Sequence, residues 1–144
     1  MSLFAFYFLV GPFLLLAVII AARGLAGLPL ATSGSEVAMT LAGIDVALAI
    51  GMRDKVVTLG SITVEAGAAA TVVLLATFLA ILVGLWAEKR ADMFNASQTA
   101  VARGWCEPDV AVARSPFWPI VISWLLLALL PIPGNVGIVI GVFG

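Results

Sequence analysis

The sequence predicts an all-α integral membrane protein, a helical bundle with four membrane segments in a single domain, residues 1–144. The first observation is composition: 63% of the residues are hydrophobic and 10% are charged, too apolar a mixture to form a water-soluble surface. The second is the distribution of charge. Charged side chains are absent from residues 1–22, from 66–87 and after Arg114, and roughly 20 apolar residues are enough to cross the ~30 Å hydrocarbon core.

The first and third segments are the most clearly defined. Segment 3–22 is uninterrupted by charge until Arg23, and it lacks the positively charged start of a cleavable secretory signal, so we expect it to be retained. Segment 65–87 begins at Glu65, where the helix dipole favours an acidic residue, and ends beside Trp86 at interfacial depth. Both have the features of transmembrane helices.

The second segment, residues 35–52, has the weakest signal, because Glu36 lies near its start and Asp45 near its middle. Small residues recur on two of its faces, which suits a central helix surrounded by neighbours. We expect it to be inserted. The alternative is a helix lying on the membrane surface, which would leave three spans and place the termini on opposite sides.

The fourth segment, residues 116–144, is interrupted at Pro131 and Pro133, which lack the amide proton that a helix requires. Residues 117–130 rise only about 21 Å, less than the hydrocarbon core. The chain therefore either kinks and continues or ends a short helix and turns back. A polar loop, residues 88–115, precedes this segment, and residues 91–103 within it form either a surface helix or an irregular connection.

Basic residues predict the orientation of the four segments. Five lie on the side of the 88–115 loop and two on the other, and the side richer in basic residues faces the cytoplasm. Loop 88–115 is thus expected to be cytoplasmic and both termini non-cytoplasmic, in a prokaryotic inner membrane. The five are Arg23, Lys89, Arg90, Arg103 and Arg114, and the two are Arg53 and Lys55.

Small residues at helical spacing predict where helices pack, since helices in lipid associate through close backbone approach. Such contacts serve packing within the bundle or between chains. The predicted helix-packing residues are Ala76, Ala80, Gly84, Gly137 and Gly141.

Asp45 is the candidate ion or proton site. An ionised carboxylate near the middle of a bilayer costs roughly 2.5 kcal/mol or more, so its presence requires an explanation. One is a protonatable or cation-binding site on a polar path, assisted by Thr71, Thr77 or Ser123. The other is a protonated or hydrogen-bonded carboxyl that joins two helices. Glu36 lies nine residues away, about 180° around the helix, and does not share this site.

Several functional classes have no support in the sequence. A net charge of −1 does not predict nucleic-acid binding. Histidine is absent, which removes the usual haem ligand and the commonest metal ligand and general base. The single Cys106 does not allow an internal disulfide, and no nucleotide-binding or hydrolase motif is present. We predict no catalytic residue, cofactor or metal site, and no enzyme activity.

The leading functional hypothesis is an accessory or structural subunit of a membrane complex, whose partners are the lipid bilayer and other membrane chains. Small-residue helix faces and the apolar segment after Pro133 favour this role. The alternative is a homo-oligomeric channel or ion-coupled transporter that uses Asp45. A holin-like or defence effector that perturbs membranes is a further alternative, since such proteins are short, hydrophobic and rich in small residues.

Overall fold

A computed structural model describes residues 3–105 and 115–143, and in this part the chain is mostly helical. Cys106, Arg114 and most of the last third of the predicted polar loop lie outside the described residues. The elements in chain order are α1 (Leu3–Ala26), a short 3₁₀ turn (Leu30–Thr32), α2 (Gly34–Gly51), β1 (Val56–Leu59), β2 (Ile62–Glu65), α3 (Ala66–Ala102), α4 (Phe117–Leu129) and α5 (Pro131–Phe143).

Helices α2 and α3 lie side by side and run in opposite directions. Three close approaches follow one another along both helices and fix this arrangement. From one end to the other, the facing pairs are Ser35 with Gly84, Asp45 with Thr77, and Arg53 with Gly67. We call the Ser35 end of the bundle the loop side and the Arg53 end the hairpin side.

Helices α4 and α5 form one kinked path from the loop side to the hairpin side. Along this path, Ser123 lies beside Gly34, Gly134 beside Val73, and Gly141 beside Val57. At the kink, Leu130 separates the two helices, and Pro131 takes the first position of α5, where a missing amide proton costs no hydrogen bond. The amide of Gly134 donates to the carbonyl of Leu130 at 2.9 Å across the break. The chain therefore kinks and continues instead of turning back.

Within the described residues, three helices are long and apolar enough to cross a membrane: α2, α3, and the path Phe117–Val142 formed by α4 and α5. Helix α1 packs against α2 and α5. The part of the predicted fold class that this observation confirms is a helical bundle with long apolar helices.

Two features differ from the sequence-based expectation. Residues 88–102, predicted to begin a polar loop, continue α3 without interruption. The chain is also not entirely α-helical, since β1 and β2 pair as an antiparallel hairpin. The two-residue turn of this hairpin holds Gly60 at a φ of +63° and Ser61 without a positive φ, the pattern of a type II′ turn that matches the strand twist. This hairpin is the compact connection between α2 and α3.

Polar side chains separate two apolar clusters in the core. The cluster on the loop side draws on all three long helical paths and consists of Val37, Ala38, Leu41, Ala80 and Leu127. The cluster on the hairpin side consists of Leu48, Met52, Val57, Ala66, Ala70, Ile138 and Val139. Between them, at the level of Asp45 on α2, lie Thr77 of α3 and Asn135 of α5. We call these three residues the polar layer.

Candidate functional site

The polar layer is sealed inside the bundle. The exposed fractions are 0% for Asp45, 0% for Thr77 and 5% for Asn135. Asp45 faces inward because Leu41 and Leu48, four residues before it and three after, lie on the same buried face of α2. Hence one polar side chain from each of three helices meets in the interior.

Thr77 provides the direct link between α2 and α3. Its Oγ1 atom lies 2.5 Å from Oδ2 of Asp45 and 2.9 Å from the carbonyl oxygen of Val73, one turn earlier in α3. Asn135 lies beside the same carboxyl. Oδ1 of Asp45 and both amide atoms of Asn135, however, have no hydrogen-bond partner of ordinary geometry among the described residues. The layer is only partly satisfied, an expensive state for buried polar atoms.

The other hydroxyls proposed as assistants to Asp45 lie elsewhere. Thr71 is exposed, and its hydroxyl donates to the carbonyl of Gly67 at 2.8 Å. Ser123 is buried beside Gly34 on the loop side, with no partner for its hydroxyl in the described residues. Asn135 was not predicted from the sequence. One feature of the sequence could have indicated it, because Asn135 is the one residue from 125 to 144 with a hydrogen-bonding side chain.

A second polar cluster closes the loop side of the bundle around Arg23. Its guanidinium donates from Nε and Nη2 to the two carboxylate oxygens of Glu36, both at 2.8 Å. Nη1 donates to the carbonyl of Pro29 at 2.7 Å and to the hydroxyl of Thr32 at 2.9 Å. Glu88 of α3 lies 3.5 Å from Nη2 and accepts from the Ser35 hydroxyl. This cluster joins α1, α2, α3 and the α1–α2 connection.

The guanidinium of Arg23 pairs with both carboxylate oxygens of Glu36, and nearly all of its N–H groups have acceptors within the protein. Arg23 therefore serves to hold the helices together. Each of its three nitrogens has a partner within 2.9 Å, and its side chain is 8% exposed. The planar guanidinium fits a carboxylate in this fork geometry, which a lysine does not reproduce. The cluster leaves little donor capacity for a ligand.

The predicted helix-packing residues occupy different environments. Ala80 and Gly84 are buried in the α2–α3 interface, and Ala76 is partly buried. Gly141 packs against Val57 of the hairpin, whereas a Cβ on Gly137 would meet no atom within 4 Å. Gly137 instead lines an apolar groove of about 240 Å³ between the hairpin, α3 and α5.

Within the described residues, no group of three or more acidic, histidine or cysteine side chains converges to hold a metal ion. What the polar layer can do chemically is form hydrogen bonds across helices and hold or release a proton at Asp45. In its described part, the chain is a helical bundle with three apolar helices and an internal polar layer. This fold is compatible with a membrane protein. Comparison with protein-family models, curated proteins and solved structures finds no match.

Proposed function

We propose that the chain is a polytopic membrane protein with four spans, in which α1 crosses the bilayer together with α2, α3 and the α4–α5 path. Helix α1 has 24 residues, a rise of about 36 Å, and it ends beside Glu36 on the loop side. The basic residues favour a cytoplasmic loop side, so both ends of the chain lie on the opposite, hairpin side.

We further propose that the protein acts as an accessory subunit of a membrane complex. The observation that carries this proposal is the length of α3. Its 37 residues rise about 55 Å, whereas the hydrocarbon core is ~30 Å thick. Since Gly84 is level with the start of α2, the excess from Glu88 to Ala102 lies beyond the bundle on the loop side. We call residues 88–102 the α3 extension.

Contacts within the described residues support only the base of the α3 extension. The α1–α2 connection borders it as far as Asn95, and residues 96–102 are exposed or half-buried. Met93 on the extension and Trp105 just after it are 51% and 71% exposed. These features suit a contact with a second, different membrane polypeptide.

The test is purification of the natively expressed protein in mild detergent, followed by identification of the polypeptides that accompany it at fixed ratio. We expect a defined hetero-complex. Replacing Met93 and Trp105 together by Ala should remove the companion chain. The matched control replaces Met39 and Trp118 by Ala, since these residues are 50% and 68% exposed but lie outside the extension. A stable species containing this chain alone contradicts the proposal.

A second candidate is an ion-coupled homo-oligomeric transporter, favoured by the unpartnered atoms around Asp45. Ionisable residues within membrane segments often mark ion or proton pathways, and buried polar atoms without a partner require an explanation. Purified protein in liposomes should then move an ion or solute, and Asp45→Asn should abolish that flux. Equal flux in the wild type and the variant would remove Asp45 from the mechanism.

A further inference from the structure

The contacts of Thr77 constrain where protons lie in the polar layer. A hydroxyl carries a single proton and therefore donates one hydrogen bond. Oγ1 of Thr77 is within hydrogen-bond distance of two oxygens, Oδ2 of Asp45 at 2.5 Å and the carbonyl of Val73 at 2.9 Å. The Val73 carbonyl is always an acceptor. If the carboxyl of Asp45 is ionised, both neighbours compete for one proton, and one of the two contacts is a repulsion between lone pairs.

The charge distribution around Asp45 gives a second, independent constraint. An ionised carboxylate in a low-dielectric interior is stable when a cation or several donors surround it. Facing Asp45, α3 has no charged residue between Ala66 and Ala87, and the α4–α5 path has none at all. On α2 itself, Glu36 lies on the opposite face and pairs with Arg23. Among the described residues, no cation is available to the carboxyl.

We propose that Asp45 is a proton-binding site and that its carboxyl is protonated in the folded protein. Oδ2 then donates to Oγ1 of Thr77, and the Thr77 hydroxyl donates to the carbonyl of Val73. Each proton has one acceptor, and both contacts become hydrogen bonds. Oδ1 remains an acceptor, and Asn135 lies beside the carboxyl. This inference goes beyond the accessory role, since it concerns the interior of the bundle and holds whether or not a partner binds.

Infrared spectroscopy of the full-length protein in lipid tests the proton directly, because protonated and ionised carboxyls absorb at separate frequencies. The chain has four aspartates, so a variant with Asn in place of Asp54, Asp92 and Asp109 retains Asp45 alone. Labelling this variant with ¹³C-aspartate identifies its band against lipid esters and glutamates. An aspartate in water is ionised at pH 7. We expect the labelled band at the protonated position at that pH.

Thr77→Val tests the hydrogen bond between Asp45 and Thr77 in the same labelled background. Loss of the acceptor should move the protonated carbonyl band to higher frequency, whereas Thr71→Val, at an exposed position on the same helix, should leave it in place. An ionised Asp45 at pH 7 overturns the proposal, as does a band that does not respond to Thr77→Val. If sodium converted the labelled band to the ionised form, Asp45 would bind a metal cation in place of the proton. That result would also overturn the proposal.

Discussion

Gly84 of α3 lies directly against the backbone of Ser35 in the first turn of α2. A Cβ atom on Gly84 would come within 2.5 Å of the Ser35 nitrogen and 2.7 Å of its Cα. Because these atoms belong to the backbone of a helix, they do not move aside as a flexible side chain would. The two helices therefore approach each other as closely as a glycine permits, and this approach brings Ser35 within reach of Glu88.

We expect Gly84→Ala to destabilise the bundle by about 1–3 kcal/mol, the usual cost of adding a methyl group to a closely packed contact. Reversible unfolding in mixed micelles measures the change. The control is Gly43→Ala, because a Cβ at Gly43 meets no atom within 4 Å. That variant should be neutral or gain up to about 1 kcal/mol from helix propensity. Equal destabilisation of the two variants would show that the approach at Gly84 is not a packing constraint.

Arg23→Lys should also destabilise the protein, although it preserves the charge. Lysine lacks the fork that binds both oxygens of Glu36 together with Pro29 and Thr32, and charge-assisted hydrogen bonds contribute about 1.5–3 kcal/mol each. Because the side chain of Glu36 is 44% exposed, we expect a total loss at the lower end of that range. Arg53→Lys serves as the control, since the Arg53–Asp54 pair is highly exposed and should contribute nothing measurable.

The hairpin turn gives a backbone test. Alanine at Gly60 must adopt a φ of +63°, a conformation that costs an L-residue about 1–3 kcal/mol. We expect Gly60→Ala to accelerate hydrogen exchange of the β1 and β2 amides. Ser61→Ala, at the adjacent turn position without a positive φ, should leave exchange unchanged. If Gly60→Ala exchanged as slowly as the wild type, the turn would have a different geometry.

The orientation is measured with thiol labelling. In intact cells, a membrane-impermeant maleimide should not reach Cys106, because its loop is expected to face the cytoplasm. With Cys106 replaced by Ser, a cysteine introduced at Ser61 in the hairpin turn should be labelled without permeabilisation. The reverse pattern would invert the topology, and labelling of both positions from one side would require an even number of spans between them.

Apolar runs free of charge predict the membrane segments, but they do not decide whether segment 35–52 inserts or how the chain continues after Pro131. The position of Asp45 relative to Leu41 and Leu48 follows from 3.6 residues per turn alone. Thr77 could be named as one of three assistants but not selected, since its distance to Asp45 depends on how α2 and α3 align. That alignment is set by the hairpin and by the approach of Gly84 to Ser35.

The position of Asn135 and the α3 extension could not be predicted from the sequence, for different reasons. The depth of Asn135 depends on whether the chain turns back after Leu130 or continues, and two prolines are compatible with both. Because residues 88–102 are polar, the sequence assigns them to a polar loop, with 91–103 as either a surface helix or an irregular connection. They are nevertheless rich in Ala, Glu, Lys, Arg and Gln, which have high helix propensity, so a helix begun in the apolar part of α3 continues through them.

The separation of Asp45 from Thr77 by 32 positions has a consequence for biogenesis. Asp45 is synthesised 32 residues before the hydroxyl that its carboxyl contacts. Helix α2 alone is a poor candidate for stable insertion, since its one polar residue near mid-depth has no partner. The short β1–β2 connection keeps α3 adjacent as it follows. The Asp45 carboxyl therefore gains its partner only when α3 packs against α2, after translation has passed Thr77.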